Sequence, residues 1–224
     1  MNIADMEFAW VQLRTNESQT MTAFEKEYYF LRRGRNASLP YPTAFHETHE
    51  REYWRGKVAP DSAPLAFYNG EKRGHRKEGI KPMLVPPDVM YDAGNLIVRN
   101  HVREALLERK VTGLSMHPAW WVHDDKSLYE DYCYVGFQKK FDCWDRELSE
   151  HSGQEEDADP TDPEPIVSSF CLNTQLLERT PLHERLLFVM GGCFAGDLVC
   201  HESILQLLQG GEHSGIRATL IADD

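Results

Sequence analysis

Cysteine is scarce in this chain, and no two cysteines have the spacing of a metal or redox motif. The five cysteines are odd in number, and none forms a C-x-x-C pair. A disulfide framework pairs its cysteines and a cysteine zinc site uses closely spaced ones, so neither is expected. The pattern predicts free thiols, which are typical of the reducing cytoplasm.

Long hydrophobic runs are absent as well. No stretch of 18 or more apolar residues occurs, whereas a helix needs about 20 to cross a bilayer. Residues 1–8 lack the basic and apolar regions of a secretory signal, so none is expected. Together with the free thiols, these absences predict a cytoplasmic protein that does not bind membranes.

The familiar catalytic and cofactor motifs are missing. His46 and His49 are three residues apart, whereas the zinc-protease motif needs four, so this segment is interpreted as a polar surface helix. Residues 191–196 are rich in glycine but lack the Lys-Ser/Thr of a P-loop, and they predict a hairpin turn. No G-x-S-x-G exists, and Cys193 is interpreted as a half-buried thiol. The sequence therefore predicts no catalytic residue, no metal site and no cofactor.

Basic residues are fewer than acidic ones in this chain. The formal net charge is −12, and proteins that bind nucleic acid are normally basic, so no nucleic-acid partner is expected. Between Asp142 and Pro165, ten acidic residues stand against a single arginine. This run is interpreted either as a solvated loop or as a docking surface for a basic partner. Residues 71–79 have the opposite bias and are interpreted as a basic loop.

One stretch of the chain is used twice, at an offset of 102 residues. The copies span residues 94–116 and 196–218. In each, a short apolar run leads into apolar residues at i, i+3 and i+4, and a glycine and a second apolar run follow, which predicts strand–helix–strand. If both units pack on one sheet, Leu106 and Leu208 are buried at equivalent positions.

The apolar content and the further predicted strands indicate the fold class. With 41% apolar residues the chain can bury a sizeable core, and further strands are predicted at 129–137, 166–172 and 186–190. We expect an α+β fold with a mixed, largely antiparallel sheet, helices packed on one side, and the two strand–helix–strand units. Asn100 and Asn173 are predicted helix N-caps. Three prolines at 82–87 predict a boundary between an irregular N-terminal α/β part, 1–85, and an α+β domain, 86–224, that carries both units.

The order of elements from about Pro86 to Ile221 resembles a family of bacterial immunity proteins. The resemblance rests on the following segments: the strand and helix at Leu96–Leu107, Gly113-Leu114-Ser115-Met116-His117-Pro118, the tyrosine-rich strand Tyr129–Phe137, Asp145–Ser149 in the pattern D-x-x-x-S, Ile166-Val167, Leu172-Asn173, Leu187–Met190 and Gly215-Ile216. The family is encoded beside polymorphic and type VI secreted toxins. The resemblance implies an antitoxin that binds a cognate toxin and is not an enzyme. Asn100 and His201 stand where the family usually has a helix-capping serine.

The candidate contacts combine tryptophan with acidic residues. Adjacent residues on a strand face opposite ways, so one of Trp120 and Trp121 can enter the core while the other anchors a partner; two core aromatics at a strand end are the alternative. A toxin that binds phosphate-bearing substrates offers a basic cleft that acids can fill. The predicted toxin-binding residues are Trp120, Trp121, Asp124, Asp125, Glu155, Glu156, Asp157 and Asp159. A small cytoplasmic enzyme of unknown type and an acidic adaptor or scaffold are the alternative functions.

Overall fold

The computed structural model of the chain describes residues 23–55, 58–59, 61–152, 164–194, 196–209 and 214–224. The strands in these ranges are β1 Tyr28–Arg33, β2 Pro42–Ala44, β3 Leu65–Asn69, β4 Val89–Asp92, β5 Asn95–Arg99, β6 Leu114–Val122, β7 Leu128–Phe137, β8 Lys140–Phe141, β9 Glu150–His151, β10 Val167–Ser169, β11 Leu187–Met190, β12 Leu198–His201 and β13 Ile216–Leu220. The α-helices are α1 His46–His49, α2 Lys72–Glu78, α3 Asn100–Glu108, α4 Thr174–Arg179 and α5 Glu202–Gln209. Short 3-10 helices lie at Phe24–Lys26, Tyr53–Arg55, Leu182–Glu184 and Ile221–Asp223.

Two large sheets and one small one organise these strands. A six-stranded sheet has the order β2-β3-β6-β7-β5-β4, a five-stranded sheet has the order β13-β1-β12-β11-β8, and β9 pairs with β10 alone. The pairs are antiparallel except β3 with β6 and β8 with β11, which are parallel. The expected α+β class with largely antiparallel pairing is therefore confirmed, but the strands form two large sheets and not the single sheet that the sequence predicts.

Both strand–helix–strand units are present, and they share one topology. The first consists of β5, α3 and β6, and the second of β12, α5 and β13. In the first unit β7 lies between the two strands and is antiparallel to both, and in the second unit β1 does the same. The two strands of each unit are therefore parallel to each other, with one antiparallel strand inserted between them.

The helices of the two units pack on a shared core cluster. Alternating strand residues point to opposite faces, so Val98 of β5 and Cys200 of β12 meet this cluster. The helices contribute Val102 and Leu106 from α3 and Ile204 and Leu208 from α5. Leu106 and Leu208 are both fully buried, as predicted, although their units belong to two different sheets and not to one.

The other face of each sheet carries a separate, more aromatic cluster. Behind the five-stranded sheet, Tyr28 and Phe30 pack with Trp144 and with Leu177 of α4, so this short helix lies on the face opposite α5. Behind the six-stranded sheet, the cluster includes Phe67, Trp121, Tyr132 and Tyr134 together with Tyr53. The expectation that the helices pack on one side of one sheet is therefore corrected: α3 and α5 pack on the cluster that the two sheets share, whereas α4 packs on the opposite face of the five-stranded sheet.

The sheets do not divide at residue 85, where the sequence predicts a boundary. β1 lies inside the five-stranded sheet, and β3 pairs with β6 in the six-stranded sheet. The two sheets also meet, because the backbone N–H of Gly215 donates to the carbonyl of Val89 at 2.8 Å. Of the N-terminal part, residues 1–22 lie outside the described ranges.

Two local predictions need correction, and one is confirmed. Residues 72–78 form a helix and not a loop. The helix ends at Gly79, whose φ of +70° is the left-handed conformation that favours glycine after a helix. Asn100 is the first helical residue, and the cap position belongs to Arg99, without a side-chain hydrogen bond. Asn173 does cap α4, because its Oδ1 accepts from the N–H of Leu176 at 2.9 Å.

Candidate functional site at the β6–β7 hairpin

The predicted acidic pair lies in the tight turn that joins β6 to β7. The N–H of Lys126 donates to the carbonyl of His123, the N–H of His123 donates to the carbonyl of Ser127, and Lys126 has φ +77°. This is a type I turn followed by a left-handed residue, a common three-residue hairpin connection. The turn places Asp124 and Asp125 at the outer end of the hairpin.

Both carboxylates are fixed by hydrogen bonds and stay accessible. The hydroxyl and the backbone N–H of Ser127 donate to Asp125 Oδ1 at 2.5 and 2.8 Å, and they hold the pKa of this exposed carboxyl below its ordinary value. Asp124 Oδ2 accepts from Asn69 Nδ2 at 3.1 Å. Asp125 is therefore a fixed negative charge at neutral pH, oriented by its own turn.

The two tryptophans face opposite ways, as strand alternation predicts. Trp121 is fully buried in the aromatic cluster behind the six-stranded sheet. Trp120 is 36% exposed. Only Trp120 can therefore contact a partner, and the inclusion of Trp121 among the contact residues is corrected: it is a core residue.

Apolar side chains surround Trp120 at the end of the hairpin. Val122 lies two residues further along the same face of β6 and pairs with Leu128 of β7, which is 49% exposed. Side chains of directly paired residues lie on one face of a sheet. We refer to Trp120, Val122 and Leu128 as the Trp120 surface.

A β-bulge brings further acidic residues beside this surface. Ala119 pairs with Tyr132 and Trp121 with Tyr129, so Glu130 and Asp131 together lie opposite Trp120. Both are exposed, and Asp131 accepts from Arg99 at 2.6 Å. The sequence reasoning missed Glu130, because a bulge leaves no mark in the apolar pattern.

A depression of about 440 Å³ adjoins Trp120 on the side of α1. Its lining includes Phe45, Glu47 and Arg51. Arg51 is held by the hydroxyl of Ser62 at 2.6 Å and the carbonyl of Pro64 at 3.3 Å. The depression offers a preformed recess next to an exposed aromatic side chain, which suits a protruding side chain of a partner.

The other four predicted contacts lie outside the described residues, in 153–163: Glu155, Glu156, Asp157 and Asp159. The described residues that flank this segment form no hydrogen bond with the β6–β7 turn and lie beside other strands. Ser152 donates to the carbonyl of Ile166 beside the β9–β10 pair, and Phe194, just after β11, donates to the carbonyl of Pro165. Of the predicted contacts, the structure thus describes Trp120, Trp121, Asp124 and Asp125, all on the β6–β7 hairpin.

The thiols and histidines form no reactive group in the parts of the chain that the structure describes. All five cysteines are free and buried, and burial raises the pKa of Cys193 to about 11 and that of Cys200 to about 12. They are therefore protonated at neutral pH, and the thiolate is the nucleophilic form. Within the same ranges no three His, Cys, Asp or Glu side chains are grouped to hold a metal ion, and His46 forms only an exposed pair with Glu50.

No protein-family model and no curated protein matches this chain. The resemblance to immunity proteins therefore rests on the sequence pattern and stays a prediction. Within the described ranges, no helix has the length and apolar character needed to cross a membrane.

Proposed function

We propose that this chain is an immunity protein that binds a cognate secreted toxin and covers its active site or substrate channel. The observation that supports this most directly is the Trp120 surface. It presents one partly exposed tryptophan on a hairpin that also carries acidic residues, with Glu130 opposite Trp120 and with Asp124 and Asp125 in the turn. Tryptophans in such settings are frequent binding hot spots, and carboxylates around them suit a basic partner.

The surface has the chemical features of a protein-binding site. Trp120 lies next to Trp121, which is buried in the core, so the backbone that carries Trp120 is held in place before a partner binds. Asp125 is ionised and oriented by Ser127. A partner with Lys or Arg around an apolar recess would be steered to this end of the hairpin by charge and held there by Trp120.

The test is co-expression with the toxin-like protein encoded beside this chain. An immunity protein restores growth and inhibits the purified toxin at a fixed stoichiometry. Trp120→Ala should raise the dissociation constant by about 25-fold or more, the effect of a hot spot of about 2 kcal/mol. Leu107→Ala is the matched control, because Leu107 is an exposed apolar residue on α3. Equal affinities of the two variants would move the interface away from Trp120.

Charge is tested separately from the apolar anchor. Asp124→Asn with Asp125→Asn should slow association roughly three- to tenfold at low salt and weaken its salt dependence. Glu104→Gln with Glu108→Gln removes the same charge from the exposed side of α3 and should leave the rate unchanged. Neutralising Glu155, Glu156, Asp157 and Asp159 together tests the predicted second contact in the same assay.

The enzyme alternative has a distinct signature. A binding protein protects only up to its own molar amount, whereas an enzyme that modifies the toxin or its product protects at sub-stoichiometric amounts and increasingly with time. Turnover of this kind would contradict the proposal, even if growth were rescued.

A further inference from the structure

A second recess lies on the other side of the acidic turn, under α2. It has a volume of about 320 Å³, which is in the size range of small-molecule sites. Its lining comes from α2, from the segment that follows the helix, and from the hairpin turn: Lys72, His75, Arg76, Ile80, Pro82, Met83, Leu84, His123, Asp124 and Asp125. We call it the α2 cleft.

Hydrogen bonds between its walls hold the cleft in shape. Lys72 Nζ donates to the backbone carbonyl of Asp124 at 2.5 Å, which ties α2 to the turn. His123 Nε2 lies 2.9 Å from the carbonyl of Met83, which ties the turn to the segment after α2. The three parts of the lining are therefore fixed relative to each other before any ligand binds.

Opposite charges face the cleft without neutralising each other. Lys72 and Arg76 are four residues apart and share one face of α2, while Asp124 and Asp125 lie on the opposite wall. Across the described residues, no salt bridge joins either basic side chain to either carboxylate, and Arg76 has no hydrogen-bond partner. The cleft thus carries both charges: Lys72 Nζ is bonded to the backbone of Asp124, and Arg76 is the basic side chain that stays without such a bond.

The floor between the charged walls is apolar, with one polar exception. Ile80, Pro82 and Met83 contribute to it, and Leu84 stands at the rim with 93% of its surface exposed. His75 is buried to more than nine-tenths, and its Nδ1 has no hydrogen-bond partner among the described residues. This nitrogen is shielded from the solvent, so a ligand in the cleft meets mainly the apolar side chains of the floor.

We propose that the α2 cleft binds a small zwitterion of the amino-acid type with an apolar side chain. Its carboxylate meets Arg76 and Lys72, its ammonium meets Asp124 and Asp125, and its side chain covers Met83 and Leu84. A simple anion is disfavoured by the carboxylates and a simple cation by α2, so the paired walls select a ligand that carries both charges. This inference does not depend on the proposed function.

Calorimetric titration of the full chain with L-leucine, L-methionine and L-phenylalanine tests the proposal. We expect saturable 1:1 binding of at least one of them with a dissociation constant of about 0.1–3 mM, given the size of the ligand. Removal of either charge, as in N-acetyl-leucine or leucinamide in the case of leucine, should weaken binding about tenfold or more, because a charge-assisted contact is lost.

Variants locate the binding in the cleft. Arg76→Met should weaken amino-acid binding about tenfold, and Asp125→Asn should do the same while its side-chain oxygen still accepts from Ser127. Lys77→Met is the matched control, since Lys77 is exposed on α2 but does not line the cleft. Thermal unfolding should be unchanged in all three. The proposal is overturned if none of the three amino acids saturates below about 20 mM, if N-acetyl-leucine binds as tightly as leucine, or if Lys77→Met weakens binding as much as Arg76→Met.

Discussion

Asp92 should make the protein less stable at neutral pH than at mildly acidic pH. This carboxyl ends β4 and is partly buried beside Tyr53, whose hydroxyl donates to Asp92 Oδ2 at 3.4 Å. Burial raises its pKa from 3.8 to about 6, and the bond from Tyr53 offsets only part of that rise. Desolvation disfavours the charged form, and no cation among the described residues lies close enough to compensate.

The sign of the effect follows from linkage. The folded protein holds the proton of Asp92 more tightly than the unfolded chain does, so the free energy of unfolding falls as the pH rises from about 4 to about 6. A shift of about 2 units corresponds to about 3 kcal/mol at most. Because part of the carboxyl stays in contact with water, we expect about 1–3 kcal/mol.

Asp92→Asn tests this contribution. The amide keeps the shape and the acceptor for Tyr53 but carries no charge, so the variant should be about 1–3 kcal/mol more stable than the parent at pH 7.5 and nearly equal at pH 4. Urea unfolding at several pH values measures the difference, with the exposed Asp223→Asn as control. A difference that does not grow between pH 4 and pH 7 would refute the reasoning.

Three further predictions concern stability and are measured by urea unfolding. Leu106→Ala and Leu208→Ala should each lower the free energy of unfolding by about 2–5 kcal/mol, and a cost below about 1 kcal/mol at either site would contradict their shared burial. Ala93 lies in the β4–β5 turn with φ +45°, a conformation that asparagine tolerates better than alanine. Ala93→Asn should therefore raise the free energy of unfolding by about 0.5–1 kcal/mol, and a decrease would mean that the turn has another shape. Asn173→Ala should lower the free energy of unfolding by about 1 kcal/mol because the α4 cap is lost. Asn173→Asp should lower it much less, because the aspartate side chain can still cap the helix.

The strand–helix–strand units were predictable because their signals are local. Apolar spacing within about 25 residues marks each strand and each helix face, and the offset of 102 residues aligns β5 with β12 and α3 with α5. The inserted strands were not predictable in the same way. β1 pairs with β13, which is almost two hundred residues later in the chain, and no local pattern encodes such a pairing.

The candidate site was predictable only in part, because some of its features depend on local sequence signals and others on long-range packing. Alternation along β6 predicts that Trp120 and Trp121 face opposite ways, but it does not say which of them enters the core. That choice depends on the cluster that Trp121 joins, to which Phe67 and Tyr53 contribute from parts of the chain more than 50 residues away. The helix α2 was missed because Gly74 lowers its propensity and like charges four residues apart, such as Lys72 and Arg76, disfavour a helix, although Gly79 after basic residues is a helix-end signal.

The candidate site lies where the connectivity of the two units differs. In both units an antiparallel strand fills the gap between the parallel pair, but its origin differs. In the first unit the inserted strand β7 continues directly from β6, so a turn with Asp124 and Asp125 must project at that end. In the second unit β1 reaches the equivalent place from a distant part of the sequence, and short 3-10 helices next to β1 and β13 occupy that end, with Ile221 buried in the core. The topology that the units share supports the sheets, and the hairpin that only the first unit possesses presents both the Trp120 surface and the acidic wall of the α2 cleft.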